Sequence, residues 1–257
     1  MNIHDQYIAY ATIVRKEVTR IFRIWPQTLF PPVITQSLYF LIFGKFIGSQ
    51  IGDINGIGYM AFIVPGLVMM AVINSSFMNV VGSFFSSKFQ RSIEELLVSS
   101  ASNPVIIAGY VTGGVTRGII VGFLVFVVSF FFTSPQIYNI GIIFSFIFLT
   151  AIVFALGGLL NAIFAKKFDD ISIFPTFILT PLIYLGGVFY SVNNLPPFWQ
   201  NISKLNPVLY MVNGFRYGFY GFSDVNVVLS FVILLSFAVI LTGVNLFLLA
   251  RGIGLKT

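Results

Sequence analysis

Histidine and cysteine, which carry most acid–base, nucleophilic and metal chemistry near neutral pH, are nearly missing from this sequence: His4 is the single histidine and there is no cysteine. That excludes thiol catalysis, zinc–thiolate sites, iron–sulfur clusters and a disulfide framework, and it leaves imidazole proton transfer almost no material. The remaining candidates are carboxylates. Asp169 and Asp170 are adjacent, which invites a cation or an acid–base pair, but neighbouring residues on a helix point different ways and no third ligand is near in sequence. A solvated turn beside Lys166 and Lys167 is expected there instead. All eight carboxylates, Asp5, Glu17, Asp53, Glu94, Glu95, Asp169, Asp170 and Asp224, fall outside the long apolar runs. A proton- or sodium-driven carrier needs a titratable or ion-coordinating group near the bilayer midplane, so this placement argues against ion coupling. No G-x-x-x-x-G-K-[ST] phosphate loop is present either, so the chain is not expected to bind or hydrolyse ATP. The expectation is a protein with no catalytic residue, no cofactor and no metal of its own.

The elements that would position these groups follow from composition. Of 257 residues, 57% are apolar and 9% charged, against about 25% charged in soluble domains. Six runs, at 28–47, 59–82, 105–132, 137–165, 171–190 and 227–250, are almost free of charge, and each is long enough to cross a hydrocarbon core of about 30 Å as a helix. The fold class expected is all-α: one polytopic transmembrane domain over residues 1–257, with six spans, an N-terminal interfacial helix and short external helices before the last span. Pro135 marks a tight hairpin between the third and fourth runs. Residues 1–25 carry no separate apolar core with a small-residue cleavage site, so no cleaved signal is expected.

Arg15, Lys16, Arg20, Arg23, Lys88, Arg91, Lys166, Lys167, Arg251 and Lys256 all flank the same side of these runs, whereas Lys45, Lys204 and Arg216 flank the other. Cytoplasmic flanks collect Lys and Arg, which puts both termini in the cytoplasm. The net charge of +6 is therefore a topology signal. Spread over four membrane edges, it gives no reason to expect nucleic acid as a partner.

Four places could bear function. Over residues 7–25, Tyr7, Ala11, Val14, Val18, Ile21, Phe22 and Trp25 form one stripe with Lys16, Arg20 and Arg23 opposite, the pattern of a helix lying in the bilayer interface with its basic face on anionic lipid. Pro26, Pro31 and Pro32 would then turn the chain into the membrane. In the loop 86–103, Phe89, Ile93, Leu96 and Leu97 recur at helical spacing and turn Lys88, Arg91, Glu94 and Glu95 outward; a solvated face and a docking face for a partner are both open. In the third run Gly114, Gly118 and Gly122 make a face for close helix approach, within the bundle or at a homodimer seam. Arg117 lies inside that run, where a charge costs about 2.5–3.5 kcal/mol; it either snorkels or pairs with a loop carboxylate, or it serves a transport pathway. Between residues 191 and 222, Phe198, Trp199, Tyr210, Arg216, Tyr217 and Tyr220 with several prolines suggest short external interfacial helices, as an aromatic belt or as a lid over an exit.

Several stretches resemble the membrane subunit of ABC-2 type ABC transporters: RIWPQTLFPPVITQSLYFLIFG at 23–44, FIVPGLVMMAVI at 62–73, KFQRSIEELLVSS at 88–100, AKKFDDISIFPTFILTPLIYLGGVFYS at 165–191 and LPPFWQNISKLNPVLYMVNGFRYGFYG at 195–221. The Asn-Pro followed by Phe-Arg in NPVLYMVNGFRYGF is the most specific of these. The resemblance implies an exporter permease of the bacterial inner membrane, working as a dimer with two separate ATPase subunits that hold ATP and Mg. It also implies that Arg91, Glu94 and Glu95 dock into the ATPase while Phe89, Ile93, Leu96 and Leu97 anchor the coupling helix. Polysaccharide, lipid-linked glycan and drug exporters share that design. A secondary transporter, an intramembrane enzyme and a non-transporting assembly factor are the alternatives from other classes.

Overall fold

The computed structural model describes residues 3–99 and 101–254; Lys256, counted above among the cytoplasmic basic residues, lies outside them. Helix α1, Ile3–Arg23, ends at a kink at Ile24, and α2 runs from Trp25 to Ile51 with a π-helical stretch at Phe40–Ile47. A short antiparallel hairpin, β1 Asp53–Ile54 and β2 Ile57–Gly58, reverses the chain through Asn55 and Gly56, both at positive φ, as the tightest hairpin turns require. Then come α3 Tyr59–Phe89, α4 Ser92–Val98, α5 Asn103–Ser129 and α6 Ile140–Phe164. The chain ends in α7 Asp170–Tyr184, α8 Pro197–Lys204, α9 Pro207–Tyr220 and α10 Val227–Arg251.

Helix α3 is the axis. From Tyr59 to Ile73 it is apolar on every side, the pattern of a helix enclosed by others, and its residues from Phe62 to Ile73 are buried without a break. Helices α5 and α6 pack along it, and α1 lies across α5. Helices α2 and α10 present much of their surface outward, including Phe30, Ile34 and Leu38 on the first and Val239 and Ile240 on the second. Asn245 ties α10 to the bundle, its Nδ2 donating to the Leu156 carbonyl of α6 at 3.1 Å.

Five of the six predicted spans are helices long and apolar enough to cross a membrane. The fifth, predicted over 171–190, differs. Helix α7 covers roughly 22 Å at 1.5 Å per residue, short of the ~30 Å core. Pro175 opens a π-helical turn through Leu179, Pro181 follows, and Gly187 at positive φ ends the regular structure. The segment nevertheless keeps climbing beside α3. Phe174 stacks on Phe77 at 5.5 Å, and the Tyr59 hydroxyl donates to the Phe189 carbonyl at 3.0 Å. Phe77 and Tyr59 are about 27 Å apart along α3.

The segment 191–222 is a surface feature only in part: α8 is short and carries the exposed Phe198 and Trp199, as expected, whereas α9 is not on the surface. Helix α9 is sunk into the bundle between α6 and α10, with Val208, Met211, Val212, Phe215 and Phe219 buried. Its glycines permit this: a Cβ on Gly214 would overlap the Phe146 ring, and one on Gly218 would sit 2.6 Å from Ile143.

Candidate functional site

The loop after α3 is built by one sharp bend. Arg91 sits at φ 60°, the left-handed region, and turns the chain from α3 into the seven-residue α4. Ile93 is buried beneath α4 in the cluster of Phe84, Phe85, Ile106 and Ile107, Leu96 and Leu97 are half-buried, and Glu94 and Glu95 are exposed. Two residues depart from the predicted pattern. Phe89 is not an anchor of this helix: it ends α3, is 58% exposed, and leans on Phe168 at 4.9 Å. Lys88, expected outward, is buried and donates to the Ile163 and Ala165 carbonyls, each at 2.7 Å. It caps the last turn of α6, where unpaired carbonyls and the negative end of the helix dipole favour a cation. Helical spacing counted in one phase through the loop 86–103 turns Lys88 outward, whereas the bend at Arg91 breaks that phase.

Helix α1 has three faces rather than two. Tyr7, Ala11, Phe22 and Trp25, just past its end, are exposed along one side, Arg15, Thr19 and Arg23 along a second, and Ile13, Glu17 and Ile21 are buried against α5 and α3 on the third. The opposition of apolar stripe and basic face is thus corrected for Arg20 and, in part, Lys16, which reach inward. Arg20 Nη2 donates to Glu17 Oε2 at 2.8 Å and to Asn79 Oδ1 at 2.9 Å. Ser83 donates to the other Glu17 oxygen, and Lys16 reaches Ser87 at 3.3 Å and Tyr110 at 3.4 Å. Gly113 makes room for this pair, since a Cβ there would lie 2.6 Å from that of Glu17. Sequence reading passed over Glu17; its one signal was being the only acid among four bases in residues 7–25. A cleft of about 380 Å³ separates α1 from α4, lined by Asp5, Ile8, Thr12, Leu96 and Ser99 among others.

Arg117 pairs with no carboxylate. Its Nη2 donates to the Thr28 carbonyl at 3.0 Å, and the reason lies in α2. Pro26 sits in the first turn, where proline is tolerated, but Pro31 and Pro32 are inside the helix and do not turn the chain as expected. Proline lacks the N–H that would bond the carbonyl four residues back, and four before Pro32 is Thr28. Two more sites follow the same rule. Pro65 frees the Ala61 carbonyl, which accepts from Tyr220 at 2.7 Å, and Pro175 frees that of Ile171, which accepts from Asn161 at 3.2 Å. Neighbouring helices thus satisfy the backbone groups that proline leaves open, as water-free surroundings demand. Arg117→Met should therefore destabilise the protein by about 1–3 kcal/mol, and Pro32→Ala should remove much of that loss, because its own amide then takes the Thr28 carbonyl. Thermal unfolding of the two single variants and the double variant checks this; additive effects would show that the two positions are not coupled.

The glycine face of α5 is inside the bundle. A Cβ at Gly114 or Gly122 would lie 2.6 Å from Val80 or Val72, and one at Gly118 would overlap the Ser76 side chain, so α3 covers this face and it is not a homodimer seam. Arg216, assigned to an outer flank from sequence, is fully buried. It donates to the Gly187 carbonyl at 2.7 Å, which fastens α9 to the turn after α7, and it lies 3.9 Å over the Phe62 ring of α3, a cation–π contact. Asp224 binds the neighbouring strand of chain through Ser191 at 2.8 Å and the Val192 amide at 2.9 Å. Trp199 is exposed beside Phe198. Tyr210 donates to the Lys204 carbonyl at 2.8 Å, and Tyr217 meets Tyr138 edge-on at 5.8 Å. The Asp169–Asp170 turn is exposed, and Asp170 accepts from the Lys166 and Lys167 amides at 2.8 and 3.0 Å. Those hydrogen bonds favour the ionised form and hold its carboxyl below the usual range. Among the described residues no three of His, Cys, Asp and Glu are grouped as metal ligands.

Residues 9–220 match the family model described as ABC-2 type transporter. The chain is 55% identical over 255 residues to the inner membrane transport permease YadH of Escherichia coli strain K12, covering 99% of this chain and all of that protein. It is 23% identical over 195 residues to nodulation protein J of Neorhizobium galegae, covering 76% of this chain and 74% of that protein, and 24% identical over 180 residues to nodulation protein J of Rhizobium meliloti strain 1021, covering 70% and 69%.

Proposed function

The chain belongs to the ABC-2 type transporter family, and from that premise we propose that its cytoplasmic helix α4 couples an ATPase to an outward transport path through the bundle. The membership makes it an integral inner-membrane permease subunit of an ABC transporter and implies an ABC ATPase partner. The finer reading is ours. Two copies of the chain assemble with two ATPase subunits, which hold ATP and Mg. Closure of the ATPase pair pushes on α4, and the two bundles rock to change access at their seam. The cargo is an amphipathic, glycan, lipid-linked or drug-like molecule leaving the cytoplasm.

The observation that carries this is α4 itself. Ile93 locks it into the buried cluster between α3 and α5, while Glu94 and Glu95 stay free on its outer face, so a force applied to the carboxylates reaches packed helices. Both termini then lie in the cytoplasm, and α7 with the turn to Phe189 makes the sixth crossing as a broken segment. Ion coupling has no support from Glu17, the fully buried carboxylate, because Arg20 neutralises it. Tagged protein purified from gently solubilised membranes should bring down, in equal amount, a second chain with nucleotide-binding motifs and ATPase activity. Purification of an active transporter without such a chain, driven by an ion gradient alone, would overturn the reading.

A further inference from the structure

Beside the ion pair at Glu17, helix α1 carries a cleft of about 430 Å³ lined by Thr12, Arg15, Lys16, Thr19, Arg20 and Arg23. Four cations therefore face one opening. The nearby carboxylate, Glu17, is already engaged by Arg20 at 2.8 Å and by Ser83, and it lies 4.0 Å from Lys16. One negative charge against four leaves the cleft with three positive charges uncompensated. Arg15 and Arg23 are exposed and have no hydrogen bond or ion pair among the described residues. Retention of charge on the cytoplasmic flank accounts for basic residues in this stretch, but it does not require that they converge on a cleft with two threonines. The third feature is the neighbouring face of the same helix, where Tyr7, Phe22 and Trp25 are exposed. A ligand that puts negative charge into the cleft would lay an apolar chain along this ridge.

We propose that this cleft binds the phosphate of an anionic amphipath, its head held by Arg15, Lys16 and Arg23 and its chain along Phe22 and Trp25. Arginine suits this role because its planar fork presents paired donors to phosphate oxygens. The phosphate has two possible sources, a membrane lipid headgroup or a phosphorylated cargo, and both present the same group to the cleft. The proposal rests on the reading that α1 lies along the cytoplasmic membrane face. Binding is measured on the permease without ATPase or transport, so its failure is distinguishable from failure of the transport reading.

The test uses the full chain in nanodiscs of phosphatidylcholine with and without phosphatidylglycerol, read by lipid retention and by the thermal unfolding midpoint. Wild type should retain phosphatidylglycerol preferentially and unfold at a higher temperature with it. Arg15→Ala/Arg23→Ala, both exposed and outside the packed core, should lose about 25-fold in retention, equivalent to about 2 kcal/mol. Lys166→Ala/Lys167→Ala, which removes the same charge elsewhere on the cytoplasmic flank, should behave as wild type. Equal losses in both double variants, or no preference in wild type, would overturn the site. Dodecyl phosphate separates the sources: displacement of the lipid by it at equal stoichiometry shows that the cleft accepts a phosphorylated cargo, and retention of the lipid assigns the site to the headgroup. Displacement by inorganic phosphate at the same concentration would overturn the requirement for an apolar chain.

Discussion

The Glu94→Lys/Glu95→Lys protein should insert, fold and dimerise like wild type while failing to retain its ATPase or to stimulate it. Both carboxylates are exposed on α4 and accept no hydrogen bond from any described residue, so reversing them removes nothing from the fold. Consecutive residues on a helix are about 100° apart, so the pair spans the outer face and at least one of them must meet whatever docks there. Inverting a charge at a desolvated interface costs about 2–5 kcal/mol, at least a 25-fold loss of complex at 1.4 kcal/mol per decade. Ile93→Ala is the contrasting variant. It opens a cavity in the cluster of Phe84, Phe85 and Ile106, and deletions of that size cost about 2–5 kcal/mol of stability. The first variant should thus lower ATPase stimulation at an unchanged unfolding midpoint, and the second should lower the midpoint. Wild-type transport by the charge-reversed protein would mean that α4 carries only a solvated face.

Gly118→Leu should give little folded protein. A first side-chain atom at this position already overlaps the Ser76 side chain and lies 3.3 Å from the Val72 carbonyl. The serine hydroxyl could rotate away from an alanine, but the remaining atoms of leucine would have to enter the seam between α5 and α3. Overpacking a tight core costs about 1–3 kcal/mol, and here it separates the two helices on which the bundle is built. Gly243→Leu is the control: nothing lies within 4 Å of a Cβ there, and the residue faces outward. Folded yield by size-exclusion chromatography should fall sharply for the first variant and stay near wild type for the second. Equal yields would show that the glycine face is loosely packed.

Hydropathy alone placed five spans, because a run of apolar residues long enough to cross the core needs no partner to be legible. Local spacing likewise gave the short helix near Glu94 and Glu95, with Ile93 as its buried side. It failed wherever the answer depended on which helix lies alongside. The stretch 171–190 is apolar enough to read as a span, but Pro175, Pro181 and Gly187 shorten the helix, and it is packing against α3 that carries the remaining chain toward Tyr59.

Charges show the same division. Lys16, Lys88, Arg20, Arg117 and Arg216 are written in the sequence as flanks or exceptions, since a one-dimensional pattern sees only their distance from apolar runs. Tertiary structure decided that Lys88 closes the end of α6, that Arg20 neutralises Glu17, and that Arg216 fastens α9 to the turn at Gly187. Buried charge is expensive unless its donors meet acceptors; apart from Glu17, three residues from Arg20 on the same helix, those acceptors are carbonyls and side chains 29 to 77 residues away. The carbonyl taken by Arg117 is free because Pro32 cannot donate, so both halves of that contact stand in the sequence, separated by a whole helical hairpin. What the chain by itself determined is where it meets lipid. Which polar groups it could then keep inside was settled only when folding brought each one to the backbone left open for it.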